Sequence, residues 1–323
     1  MDTWVEQINK RARILIDQIV AARAATLDSK VELGWLEAQY RTLLEQLYAQ
    51  EYAAAHLRDT SDLVIRAEGP GTNHDGPSLR SFTWLSEHVR RQLAKLSRAV
   101  LPLTNADAKA VARKLGWTFT GYAPGSITLG FALKTPEVQA GFEEADAAAF
   151  NVIRTAAQSI ATISQYVGES ELDPGLIEEI SDPALRDAAI VAAWQLSPTP
   201  RSGIHTVEVA SRAGGYGSLS QRERMVLKQS VVSPLFRKTE YGSFVGKLRA
   251  ADLDKHRLVL RDVPGVGSIR CAIGDDLGPV AQKHFGGHVR VAGNYEADRD
   301  GRPRMMRVER IESLPEPLTP QLF

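Results

Sequence analysis

The residue types in this chain best suited to chemistry are histidines, adjacent carboxylates, a lone cysteine, glycine clusters and grouped bases. Its histidines are His56, His74, His88, His205, His256, His284 and His288. Only His284 and His288 stand four apart, and Gly286-Gly287 between them breaks the helix that would turn both towards one metal. His74-Asp75 lies in a Gly/Pro/Asn/Asp run, Glu68 to Ser78, and reads as solvated turn chemistry. Glu143-Glu144 and Glu178-Glu179 are sequence neighbours, so on a helix they diverge by about 100° and share no site. Cys271 has no second cysteine to pair with, and its alternating surroundings, Ser268 to Ile273, make it a small apolar strand residue.

Gly214, Gly215 and Gly217 lack the Gly-Lys-Ser/Thr ending that a phosphate-cradling loop needs. The chain also carries no Gly-x-Ser-x-Gly elbow and no Gly-x-Gly-x-x-Gly fingerprint. No catalytic, cofactor-binding or metal-binding residue is assigned, and the expected cofactor is none. An enzymatic reading survives only as a pocket in the middle of the chain, around Arg80, His88 and Arg91.

The bases are more informative. The 39 basic and 39 acidic residues cancel, so no global field drives the chain towards nucleic acid or anionic membrane. The segments do not cancel. Between Ser78 and Lys114 bases dominate, between Glu137 and Asp187 acids do, and from Arg201 to Lys238 bases return. Arg91, Lys95 and Arg98 fall at helical spacing on one face, a pattern able to hold phosphate. The opposing interpretation pairs basic with acidic segments, within the chain or across an oligomer.

The elements that must position these groups follow from periodicity. Residues 1–60 read as an antiparallel helical hairpin, with apolar positions Trp4, Ile8, Leu15 and Ile19 on one face and Trp35, Tyr40, Leu44 and Leu47 on the other helix. Asp28-Ser29 provides the turn, and Glu32 completes a capping box. Residues 61–213 read as a mixed α+β domain. It has strands near 62–68, 117–120, 126–133 and 203–211, and helices near 82–100, 105–115, 136–167 and 174–196. Residues 214–238 read as a linker and a helix, and 315–323 as a proline-rich tail.

From residue 239 to 314 the period changes to two. Runs at Tyr241–Leu248, Arg257–Arg261 and Ser268–Ile273 precede a short helix, and His288–Gly293 and Arg304–Ile311 follow it. Asp252 to Lys255 and Pro264 to Gly267 supply the turns. Three strands, a helix and two strands resemble an OB-fold, a five-stranded Greek-key barrel. The resemblance covers roughly a quarter of the chain and implies single-stranded nucleic acid as a ligand. The residues it nominates are Lys247, Arg249, Arg257, Arg261 and Arg270, with Tyr241 and Phe244 as stacking rings, beside Arg91, Lys95 and Arg98 of the basic helix. Strands two and three carry no aromatic residue, and a barrel docked on its own chain is the competing expectation.

The fold class expected is therefore α+β and multidomain, with a helical hairpin, a mixed α/β middle and a C-terminal OB-like barrel. The function expected is non-catalytic binding or regulation of bacterial type, with single-stranded nucleic acid as partner. The alternative is an interaction subunit that self-associates or docks protein partners through a coiled-coil contact of the hairpin. With 43% hydrophobic residues, no signal-like N-terminus and no long apolar run, the chain reads as a soluble cytoplasmic protein with no membrane partner.

Overall fold

The computed structural model describes residues 2–29, 34–72, 76–101, 116–123, 126–134 and 144–314. The helix expected near 105–115, the His74-Asp75 turn, Glu143 and the 315–323 tail lie outside the described residues. Helix α1 (Trp4–Ser29) is followed by α2 (Gly34–Gln46), which passes through a wider π-type turn, Leu47–Tyr52, into α3 (Ala53–Thr60). Arg11 pairs with Glu51 and Arg23 with Glu37, so the second helical stretch runs back along the first. The backbone N–H groups of Trp4 and Val5 donate to the Asp59 carboxylate, which satisfies two otherwise unpaired donors of the α1 N-terminus. Only a small core joins these helices, built on Ile8, Ala12, Leu47 and Ala55.

The middle of the chain forms a sheet of β1 (Leu63–Glu68), β2 (Trp117–Ala123), β3 (Ile127–Leu133), β4 (Thr206–Ser211) and β5 (Tyr216–Leu219). Its order is β2-β3-β1-β4-β5, and every pairing is antiparallel. Alternation decides its faces. Leu63, Ile65, Leu129, Phe131, Val207 and Val209 join the main core, whereas Val64 and Ala210 turn the other way, to a small cluster with Leu57 of α3. The glycine-bearing segment 212–215 turns the chain so that Tyr216–Leu219, inside the expected linker, pairs with β4 as an edge strand.

Helices α4 (Leu79–Val100), α5 (Glu144–Gln165), α6 (Pro183–Leu196) and α7 (Gln221–Val232) cover the core side. The helix expected from 174 to 196 is instead one turn, Leu176–Glu179, then a break, then α6. Asp182 causes the restart: its carboxylate accepts from the N–H groups of Ala184 and Leu185, and Pro183 occupies the first helical turn. Ala184, Ala188, Ala189, Ala192 and Ala193 are all buried, because α6 is packed on every side and small side chains permit that approach. Val226, Leu227 and Val231 of α7 belong to the same core, so the helix after the expected linker is part of this domain.

The C-terminal region is a closed, mixed five-stranded barrel of β6 (Glu240–Asp252), β7 (Arg257–Val263), β8 (Gly267–Ala272), β9 (His288–Ala297) and β10 (Pro303–Ser313). The order is β10-β8-β7-β6-β9. The β8–β10 contact is parallel, and α8 (Gly278–Lys283) lies between the third and fourth strands. Leu248, Leu258, Leu260, Ile269, Val289 and Met306 fill its interior. Cys271 is buried among them, and burial pushes its thiol up to about 12, as befits a small apolar strand residue. Among the described residues no helix is long and apolar enough to cross a membrane.

Candidate nucleic-acid interface

The barrel is seated on α6 by charges that its sequence presents as ordinary surface. Asp187 is 4% exposed, and its carboxylate accepts from Nε of Arg257 at 2.8 Å and Nε of Arg270 at 2.6 Å. Arg257 also donates to the carbonyl of Val231 at the end of α7. The preceding residue, Arg186, donates to Glu296 of β9 at 2.6 Å and to the carbonyls of Ile180 and Leu235. At the N-cap, Asp182 takes Arg304 of β10.

The two buried pairs balance differently. Burial alone would raise the Asp187 carboxyl, but the charges and hydrogen bonds of Arg257 and Arg270 outweigh it and bring it down to about 2. Around Arg186 and Glu296 burial wins: it lowers the guanidinium and raises the carboxyl by more than each partner restores.

This placement buries two of the nominated ligand-binding residues. Arg257 and Arg270 do point outward from their strands, as their parity requires. Another layer covers that surface, however, and both are buried on Asp187. Phe244 is also removed from the list of free stacking rings, since it packs against the barrel interior and meets Tyr295 edge-on at 5.1 Å between centroids. Tyr241 is exposed but lies six residues from Lys247 along β6, roughly 20 Å at the strand rise. Arg249 is exposed beside the irregularity in the β6–β7 register. Lys247 and Arg261 are half-buried and directly opposite one another.

The bases of α4 fare differently. Arg91, Lys95 and Arg98 are exposed on one face, and Arg91 lies 3.9 Å from Glu87. Lys95 and Arg98 border a cleft of about 380 Å³ between α4, α6 and the barrel rim, within the range of small-molecule sites. Its floor is apolar, from Leu96 and Ala99 of α4 and Ala188, Val191 and Ala192 of α6. The barrel wall contributes Leu258, Val259, Lys255 and Phe285.

Lys255 is buried and donates to Asp252 at 2.8 Å. Burial pushes its ammonium down against that bond, and the Lys95 and Arg270 cations push the same way as burial. Among the described residues five cations line the cleft, and the carboxylates of Asp252 and Asp187 leave three of them uncompensated. Among the described residues neither Lys95 nor Arg98 has an ionic partner.

Phe285 is the aromatic that strands two and three do not provide. Its ring is 57% exposed at the cleft. The turn that follows fixes it. Gly286, at φ 84°, donates its N–H to the Leu248 carbonyl at 2.8 Å, and Leu248 donates to the Gly287 carbonyl at 3.0 Å. Sequence reasoning missed Phe285, Lys255 and Asp187, although an aromatic next to Gly-Gly at a helix end was a usable signal.

Among the described residues the lining holds no histidine, cysteine, serine or threonine, and one carboxylate, Asp252, which is taken by Lys255. It is suited to holding an anion beside a flat ring, with no general base or hydroxyl nucleophile at hand. His88, around which an enzymatic pocket was expected, is stacked on Trp84 with its Nε2 against the Gln195 carbonyl.

A second cavity of similar volume separates α1 and α3 from the outer sheet face. Its Arg66 is already held by Ser126, Glu68 and Glu208, so it offers no comparable excess of charge. Among the described residues no group of three or more histidine, cysteine or carboxylate side chains could hold a metal. Against protein-family models, curated proteins and solved structures, the chain matches none, and the reading of this cleft rests on its geometry.

Proposed function

We propose that the protein is a non-catalytic, single-stranded nucleic-acid-binding protein that grips its ligand where α4 meets an OB-like barrel. The observation that carries this is the convergence of Lys95 and Arg98 with Lys255 and the Phe285 ring on one apolar-floored cleft. Aromatic stacking with phosphate neutralisation is the usual chemistry of single-strand sites. The OB-like reading is supported by the barrel order and by the helix between strands three and four. Part of the outer face of strands two and three, which OB-folds offer to their ligands, is here spent on α6. The ligand path therefore shifts to the rim.

Fluorescence anisotropy with a short mixed-sequence single strand tests the proposal. Binding should weaken with salt, with a log–log slope near −0.7 for each phosphate contacted. Phe285→Ala should cost about 1–3 kcal/mol and leave that slope unchanged. Absence of binding at low salt overturns the proposal.

A second reading, self-association through the N-terminal helices, has its own support. Helix α2 buries none of its residues, and Val20, Leu27 and Trp35 are 60%, 84% and 61% exposed. A monomeric mass for the full chain in light scattering rejects it.

A further inference from the structure

Beyond the cleft, the geometry points to a separate phosphate site on the outside of the barrel, formed by Lys247, Arg261 and His288. In the barrel Lys247 on β6 faces Arg261 on β7 to one side and His288 on β9 to the other. Three basic side chains thus stand abreast on three adjacent strands, with direct cross-strand neighbours about 5 Å apart. Their strand neighbours Leu248, Leu260 and Val289 fill the interior, which fixes the row on the outer face.

Like charges directly opposite one another work against a sheet unless something neutralises them. Among the described residues none of the three has a carboxylate partner, and Glu312 is taken by Arg290 and Arg310. Nε of Arg261 and Nδ1 of His288 are also buried without a hydrogen-bond partner. The row therefore combines unneutralised charge with unmet polar groups, and both point to an oxyanion. A planar carboxylate matches one guanidinium. A phosphoryl group, with oxygens directed tetrahedrally, can meet two cations and an imidazole arriving from three strands. The site does not depend on the cleft being occupied.

The phosphoryl group has two sources, a nucleic-acid strand leaving the cleft or a free phosphorylated compound. Calorimetric titration of the full chain with pyrophosphate at constant ionic strength tests the site itself. Wild type should bind, Lys247→Gln and Arg261→Gln should each weaken binding about tenfold or more, the loss of one charge-assisted contact, and Lys228→Gln, at an exposed base of α7 in neither site, should bind as wild type. No binding by wild type, equal binding by the row variants, or equal loss in Lys228→Gln overturns the site.

A single-stranded oligonucleotide then distinguishes the sources. A salt slope shallower by about 0.7 in each row variant assigns the phosphate to the strand. An unchanged slope with lost pyrophosphate binding assigns it to a free compound. Pyrophosphate binding without any oligonucleotide binding retains this site and rejects the cleft proposal. Without anion, both row variants should melt at or above the wild-type temperature, because each removes a like-charge contact. A lower melting temperature in both contradicts the neutralisation argument.

Discussion

Asparagine in place of Asp187 would keep the shape of the side chain and remove the charge on which the barrel is seated. The carboxylate is 4% exposed and serves two buried guanidinium groups, Arg257 and Arg270, themselves 3% and 4% exposed. Its fall from 3.8 to about 2 corresponds to net stabilisation on the order of 2–3 kcal/mol. Removing the charge also strands two buried cations. Breaking a buried pair in this way typically costs about 3–5 kcal/mol, and the larger figure applies to Asp187→Asn.

The assay is urea unfolding of the full chain at neutral pH, followed by circular dichroism and by hydrogen exchange at barrel amides. The variant should release the barrel before the helical domain melts, so that one transition becomes two. A pH series adds a signature. The folded-state value of Asp187 is depressed, so its contribution is complete above its ordinary value of 3.8 and disappears as pH falls towards about 2. Wild type should lose docking in that window, and Asp187→Asn should show no such step. A variant within about 0.5 kcal/mol of wild type, the range of an ordinary surface substitution, refutes the claim that this cluster seats the barrel.

Three further predictions follow from neighbouring groups. Glu296→Gln should cost less than Asp187→Asn, because burial already raises the Glu296 carboxyl and Arg186 keeps the carbonyls of Ile180 and Leu235. Its pH effect has the opposite sign to that of Asp187: the Glu296 contribution is complete below its ordinary value of 4.5 and is lost as pH rises above it through the raised folded-state value, measurable in the same urea series. Cys271, buried and raised to about 12, should resist thiol reagents in the native chain and react only on unfolding, as followed by mass spectrometry. Gly246→Ala should destabilise the barrel by about 1–3 kcal/mol in thermal melts, since a Cβ there would lie 2.5 Å from the Arg261 carbonyl oxygen.

The barrel was legible because its information is local. Alternation places Leu248, Leu258, Leu260 and Ile269 inward, and Gly/Pro/Asp turns mark the ends of its strands. Helix α4 was legible for the same reason, as was the exposed face of Arg91, Lys95 and Arg98. What failed was long-range. Period two assigns Arg257 and Arg270 to the outside of a strand, but it carries no information about a helix 70 and 83 residues earlier that covers them.

Asp187 looks like an isolated charge in an alanine-rich helix until α6 is seen to be enclosed on every side. The all-round apolar character of that helix was the available clue. Tyr216–Leu219 spans four residues, too short for alternation to distinguish it from a loop. Phe285 belongs to no strand, so a search for aromatics on strand faces passed over it.

The most direct test of the cleft is the salt dependence of single-strand binding by wild type and by a Lys95→Gln, Arg98→Gln double variant. Neither side chain has an ionic partner among the described residues, so the double variant should fold as wild type. Wild type should bind with a negative log–log slope, and the double variant should bind more weakly with a slope shallower by about 1.4, two phosphate contacts at about 0.7 each. Equal affinity and equal slope for the two proteins would contradict the account.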